Sequence, residues 1–174
     1  SKFLVIPRVA GTYTLRIYSR SLNSFLQASV LNTPAEGTPF SIAITFTLSG
    51  TEVSLSPTLP IAPHTGSLEG GAFSILDMIY EANKYLRTNT TCAFCTTFSV
   101  APKVTVYWSP GVSPGSYLGD PQAAISFYNR TDYAGLPKGL YLLGGIPGKG
   151  GTCADTDHFD KSVILHEYGH FLEH

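Results

Sequence analysis

Charge is scarce in this chain. Asp, Glu, Lys and Arg make up 13% of its 174 residues, and the net charge is −1, where globular domains carry about 25% charged residues. So neutral a composition offers no broad basic surface, which argues against nucleic acid as a partner. No apolar run approaches the roughly 18 residues needed to cross a bilayer, so no membrane span is expected. Internal repeats and low-complexity tracts are lacking too. The opening Ser1-Lys2-Phe3-Leu4-Val5-Ile6-Pro7 is too short for a signal peptide, although one removed earlier is compatible with it. Cysteine is limited to Cys92, Cys95 and Cys153. In a secreted chain these predict a disulfide from Cys153 to Cys92 or Cys95, with the third thiol free. A bridge within Cys92-Ala93-Phe94-Cys95 closes a tight loop, a structural zinc site needs a fourth ligand (His158 is the nearest), and a redox Cys-x-x-Cys lacks a βαβ context.

Ser, Thr, Gly and Pro fill the charge deficit. Hydrophobic residues at 43% and aromatics at 12% suffice for a core. This is the profile of a secreted, extracellular, β-rich protein of one domain or two small ones. Residues 12–18 alternate, with Tyr13, Leu15 and Ile17 on one face. Phe40, Ile42, Ile44, Phe46 and Leu48 repeat at period two, and 25–31 and 52–55 form shorter strands. The expectation is an antiparallel β-sandwich-like module over 1–57 and a Pro- and Gly-rich linker over 58–71. Periodicity then changes. Phe73, Leu76, Ile79, Tyr80 and Leu86 recur at helical steps and predict an amphipathic helix over 73–86. Strands are predicted over 103–108, 124–128 and 139–143, with irregular chain over 110–121 and 144–151. Asn89-Thr90-Thr91 and Asn129-Arg130-Thr131 match the glycosylation pattern.

The last fifteen residues carry the chemistry. Asp160 is suited to cap a helix whose apolar Val163 and Ile164 turn toward a core. On that helix His166 and His170 stand four residues apart, one turn above each other on one face, where both imidazoles can reach one ion. Glu167 sits beside the first histidine, placed to accept a proton rather than to ligate. This is the His-Glu-x-x-His arrangement. Three of the five histidines crowd into nine residues here, where a surface helix with satisfied histidines is the bland alternative.

Over about residues 71–174 the chain resembles the zincin superfamily of zinc metallopeptidases, and its gluzincin branch more than the metzincins. The resemblance rests on His166-Glu167-Tyr168-Gly169-His170 and on the order helix, strands, motif helix. It implies an α+β fold whose 72–174 part is the first half of a catalytic domain, zinc held by His166 and His170, and Glu167 as general base. A metzincin would carry Gly at position 173, where this chain has Glu173. His174 cannot serve as the third ligand on an unbroken helix, since eight residues separate its backbone from that of His166 by about 12 Å. Gluzincins take a Glu from a later helix. The expectation is therefore a third protein ligand outside this chain, a fragment inactive by itself, and association through an incomplete last helix whose Phe171 and Leu172 are exposed. Leu172-Glu173-His174 also matches the start of a common purification tag.

The implied function is hydrolysis of a peptide or protein substrate by a secreted metalloendopeptidase. Gly139, Leu140, Tyr141, Leu142 and Leu143 are expected to form the edge strand that takes the substrate backbone. Two rivals are a binding or adhesion protein with a vestigial motif, and an aminopeptidase, for which no upstream acidic motif is seen. Asp155, Asp157, His158 and Asp160 could bind calcium but read better as a cap plus solvated acids. Tyr107, Trp108 and Tyr117 read as packing aromatics before substrate contacts, and His64 as a solvated linker residue.

Overall fold

Alternation at period two becomes strand pairing directly. In the computed structural model, which describes residues 9–50, 68–89, 101–131, 133–146, 148 and 156–174, β1 (Gly11–Tyr18) and β4 (Ser41–Leu48) form an antiparallel ribbon. Tyr13, Leu15 and Ile17 lie opposite Phe46, Ile44 and Ile42 on one face. Thr12 and Thr14 face Thr47 and Thr45 on the other, each hydroxyl pair 3.2 Å apart.

The remaining strands build one mixed sheet. Its order is β2 (Arg20–Leu22), β3 (Gln27–Leu31), β5 (Val104–Tyr107), β7 (Gly139–Tyr141), β6 (Phe127–Asn129). The pairs β3–β5 and β5–β7 are parallel, and both edge strands run antiparallel to their neighbours. Two α-helices, α1 (Leu68–Asn89) and α2 (Lys161–Leu172), and two short 3-10 turns, Pro114–Leu118 and Tyr133–Gly135, complete the described elements. The fold is thus α+β, but a separate N-terminal sandwich is not what forms. β2 and β3 belong to the same sheet as β5, across the expected 58–71 boundary. The alternation of 25–31 and 103–108 was compatible with either arrangement; burial of both faces of β3 decides for the central one, because a parallel strand needs cover on each side. The expected strand at 52–55, most of the linker with His64, and the cysteines Cys92, Cys95 and Cys153 lie outside the described residues. No described helix is long and apolar enough to cross a membrane.

Side-chain alternation divides the core between two sheet faces. Ala28, Val30, Val104, Val106, Leu140 and Leu142 meet Ile75 and Ile79 of α1 and Ile164, Tyr168 and Phe171 of α2. Tyr107 and Tyr141 point the other way, into a smaller cluster with Leu136, Phe127 and Tyr117. The helix α1 begins within the expected linker. Its buried line is Ala72, Ile75, Ile79 and Asn83, so of the expected stripe Ile79 is fully buried while Phe73, Leu76, Tyr80 and Leu86 are only partly so. At Gly71 a Cβ would lie 2.5 Å from the Trp108 ring, so this glycine permits close approach instead of ending a helix.

The segment Gly139, Leu140, Tyr141, Leu142 and Leu143 is not an edge. β7 pairs with β5 on one side and β6 on the other, and all five residues are buried. An apolar run without alternation marks a strand covered on both faces. The edge beside α2 is β6.

Gly144 follows this run where two loops cross. Its N–H donates to Val112 O at 2.9 Å and its carbonyl accepts from Gly111 N at 2.7 Å. An added Cβ would stand 1.8 Å from the backbone oxygen of Ser109. Gly144→Ala is expected to lower stability by about 3 kcal/mol or to prevent folding, measurable by urea unfolding; a change under about 1 kcal/mol would mean that this crossing is loose.

Candidate metal centre and cleft

The helix α2 starts on a designed cap. The Asp160 carboxylate accepts from Ser162 N at 2.9 Å and Val163 N at 3.3 Å, and from the Ser162 hydroxyl at 2.6 Å. That hydroxyl, followed by the two amides, holds the Asp160 carboxyl below its usual range. The capping role expected from the sequence is met.

One stripe of α2 is buried: Ile164, Glu167, Tyr168 and Phe171. Tyr168 is locked further by Asn83, itself 1% exposed. The Asn83 amide donates to Tyr168 Oη at 2.7 Å and to Ile79 O at 2.9 Å, and its oxygen accepts from Ala101 N at 3.1 Å. Burial raises the Tyr168 pKa, an effect that the Asn83 bond partly opposes. Phe171 is not the exposed group expected. It stacks on Tyr168 at 5.6 Å, meets the Tyr128 edge at 6.0 Å, and has the Lys138 ammonium 5.7 Å above its ring. Of the expected association surface, Leu172 remains, at 37% exposure.

With that stripe inward, His166 and His170 face outward. Their Nε2 atoms approach to 3.1 Å and their rings stand at 83°. Two nitrogens at about 2.05 Å from a tetrahedral ion are about 3.3 Å apart, so the pair converges as ligands of one ion do. The Nδ1 of His170 lies 3.7 Å from Glu173 Oε2, an outward carboxylate on the non-ligating side of the ring. Among the described residues no third His, Cys, Asp or Glu completes a metal-binding group.

Glu167, at 8% exposure, borders a cleft of about 530 Å³ together with His166, Val163, Ser162 and Asp157. The opposite wall is Ala124, Ile125 and Ser126, the chain leading into β6. Among the described residues the backbone of this wall makes no hydrogen bond. The segment 124–128 was expected as a strand, yet its role as the cleft wall was not. Only its second part is strand: β6 begins at Phe127, and residues 124–126 are irregular chain.

No family model, curated protein or solved structure matches this chain.

The other candidates separate clearly. Tyr107 and Trp108 are buried at 8% and 3% exposure, and Tyr117 packs on Tyr141 at 5.9 Å, as packing aromatics should. Asn129 is 5% exposed and its amide donates to Leu136 O at 2.8 Å, so that glycosylation match is engaged inside the fold. Asp155 lies outside the described residues. Asp157 is not a solvated acid; it is 8% exposed and accepts from the Ser126 hydroxyl at 2.5 Å.

His158 is packed between Trp108 at 4.9 Å and Phe159 at 4.3 Å, and its buried Nδ1 has no hydrogen-bond partner. Burial holds its pKa below the ordinary 6.5. The unfolded chain therefore takes up this proton at a higher pH than the folded one, and stability falls as pH drops below 6.5 toward the folded value. The melting temperature of the wild type is expected to drop more steeply on acidification from pH 6.5 than that of His158→Phe; parallel curves would show that His158 is protonated equally in both states.

Proposed function

We propose that this protein is a secreted zinc-dependent peptidase that cleaves extended peptide segments. The observation that carries this reading is the 3.1 Å convergence of the His166 and His170 Nε2 atoms beside Glu167 at the cleft. His166 and His170 would hold the ion, with a third protein ligand supplied from outside the described residues. Bound zinc supplies a Lewis acid that polarises a carbonyl oxygen and lowers the pKa of water.

The chain's own groups account for the rest. Glu167 follows the first ligand directly and borders the cleft, so its carboxylate can take the proton of the attacking water and pass it to the departing amine. Its neighbours Ile164 and Tyr168 are fixed in the core, which limits the freedom of the carboxylate. Across the cleft, the unpaired backbone of 124–126 suits strand addition by an extended peptide. The exposed Ile125 and the half-buried Val163 give that peptide apolar contacts on both walls. A secreted setting is supported by the low charge.

Two histidines alone hold zinc weakly, because a catalytic site uses three protein ligands and water. Calorimetric titration of the 174-residue chain is expected to show weak binding that His166→Ala or His170→Ala abolishes. Tight one-to-one binding would place the third ligand within the chain, and no binding at all would favour a non-catalytic binding protein. In the peptidase-active form, Glu167→Gln should keep the metal and lose about 10²- to 10⁴-fold in kcat. Near-normal turnover with metal retained would remove Glu167 from the proton-accepting role.

A further inference from the structure

Asp157 poses a question that the metal centre does not answer. A carboxylate at 8% exposure is costly unless it is bonded. Here the Ser126 hydroxyl donates to Asp157 Oδ2 at 2.5 Å, and the same Ser126 oxygen accepts from Leu143 N at 2.8 Å. Asp157 N donates back to Leu143 O at 2.9 Å. The three residues thus close a ring of hydrogen bonds. A fourth bond leads out of it: Asp160 N donates to Asp157 O at 3.0 Å, and Asp160 caps α2.

The ring ties three pieces together at one point. They are the cleft wall 124–126, the chain leaving β7, and the turn that starts the histidine helix. The wall has no backbone hydrogen bond of its own among the described residues, so the Ser126 side chain is its polar attachment to the rest of the cleft. α2, by contrast, is held by its own apolar stripe.

We infer that Ser126 and Asp157 are positioning residues that set the distance between the peptide-pairing wall and the Glu167–His166 side of the cleft. This rests on the peptidase reading. The pair acts through the wall and not on the reacting atoms. It holds residues 124–126 in register so that an extended peptide pairs with them without first ordering the chain, which is a binding effect.

The consequence is a separation of effects. In Ser126→Ala and Asp157→Asn, KM for an extended peptide should rise about ten-fold with kcat within about three-fold, the scale of one lost charge-assisted hydrogen bond. Cobalt affinity, read by its visible absorption, should stay within about two-fold, because the ligand helix is held independently. Amide exchange at Leu143, whose N–H donates to Ser126 Oγ, and at Phe127, where β6 begins, should accelerate about ten-fold while that at Tyr168 is unchanged. Ser126→Thr, which keeps the hydroxyl, should restore KM and exchange. If Asp157→Asn does not fold, Ser126→Ala, which retains the carboxylate, decides the matter. A matched loss in kcat and cobalt affinity would overturn the inference, as would unchanged exchange at Phe127 and Leu143. If the unaltered protein cleaves no peptide even with its third zinc ligand supplied, the peptidase reading fails, whereas the exchange measurement still decides whether Ser126 and Asp157 hold the wall.

Discussion

An amphipathic helix packed against a fold buries one stripe, and in α2 that stripe is Ile164, Glu167, Tyr168 and Phe171. Everything at the candidate site depends on this. With Ile164 and Tyr168 at 0% and 1% exposure, the helix cannot rotate without exposing them. His166 and His170, one turn apart, are thereby turned outward together, and Glu167 is left at the boundary between core and cleft. The buried Asn83 adds direction to the apolar packing. Its bonds to Tyr168, Ile79 and Ala101 lock α2 to α1 at one rotation and one height.

The mixed sheet supplies the other side of the cleft. Its central parallel strands are covered on both faces, and the antiparallel β6 closes the edge nearest α2. The chain leading into that edge is free to serve as a wall because β6 pairs with β7 only from Phe127 onward. Three polar groups, on Ser126, Leu143 and Asp157, then join wall, sheet and helix start. The converging histidines and the cleft wall are therefore held by different forces: apolar burial for one, a short hydrogen-bonded ring for the other.

Much of this was legible in the residues. The alternations at Tyr13–Leu15–Ile17 and Phe40–Leu48 are strands as expected, Asp160 caps the last helix, and His166 and His170 share a face. The errors have physical causes. The glycines at 70–71 read as linker because Gly usually breaks a helix, whereas Gly71 is there to admit Trp108. The run from Gly139 to Leu143 is short and precedes a glycine-rich loop, as an edge strand would, yet its five consecutive buried positions belong to a strand covered on both faces. Phe171 was expected at the surface because its partners, Tyr128 and Lys138, come from elements far away in sequence.

What the sequence by itself determined are the features whose cause is local: period-two and helical repeats, the Asp160 cap, and the four-residue spacing that stacks two imidazoles. These follow from backbone geometry within a few residues. Only the tertiary structure decided which strand is the edge, that β2 and β3 join the sheet of β5, and that Ser126 meets Asp157 across 31 residues of chain. Such pairings are set by how whole faces are covered and by which polar groups would otherwise be buried alone, and neither quantity exists until the chain has folded back on itself.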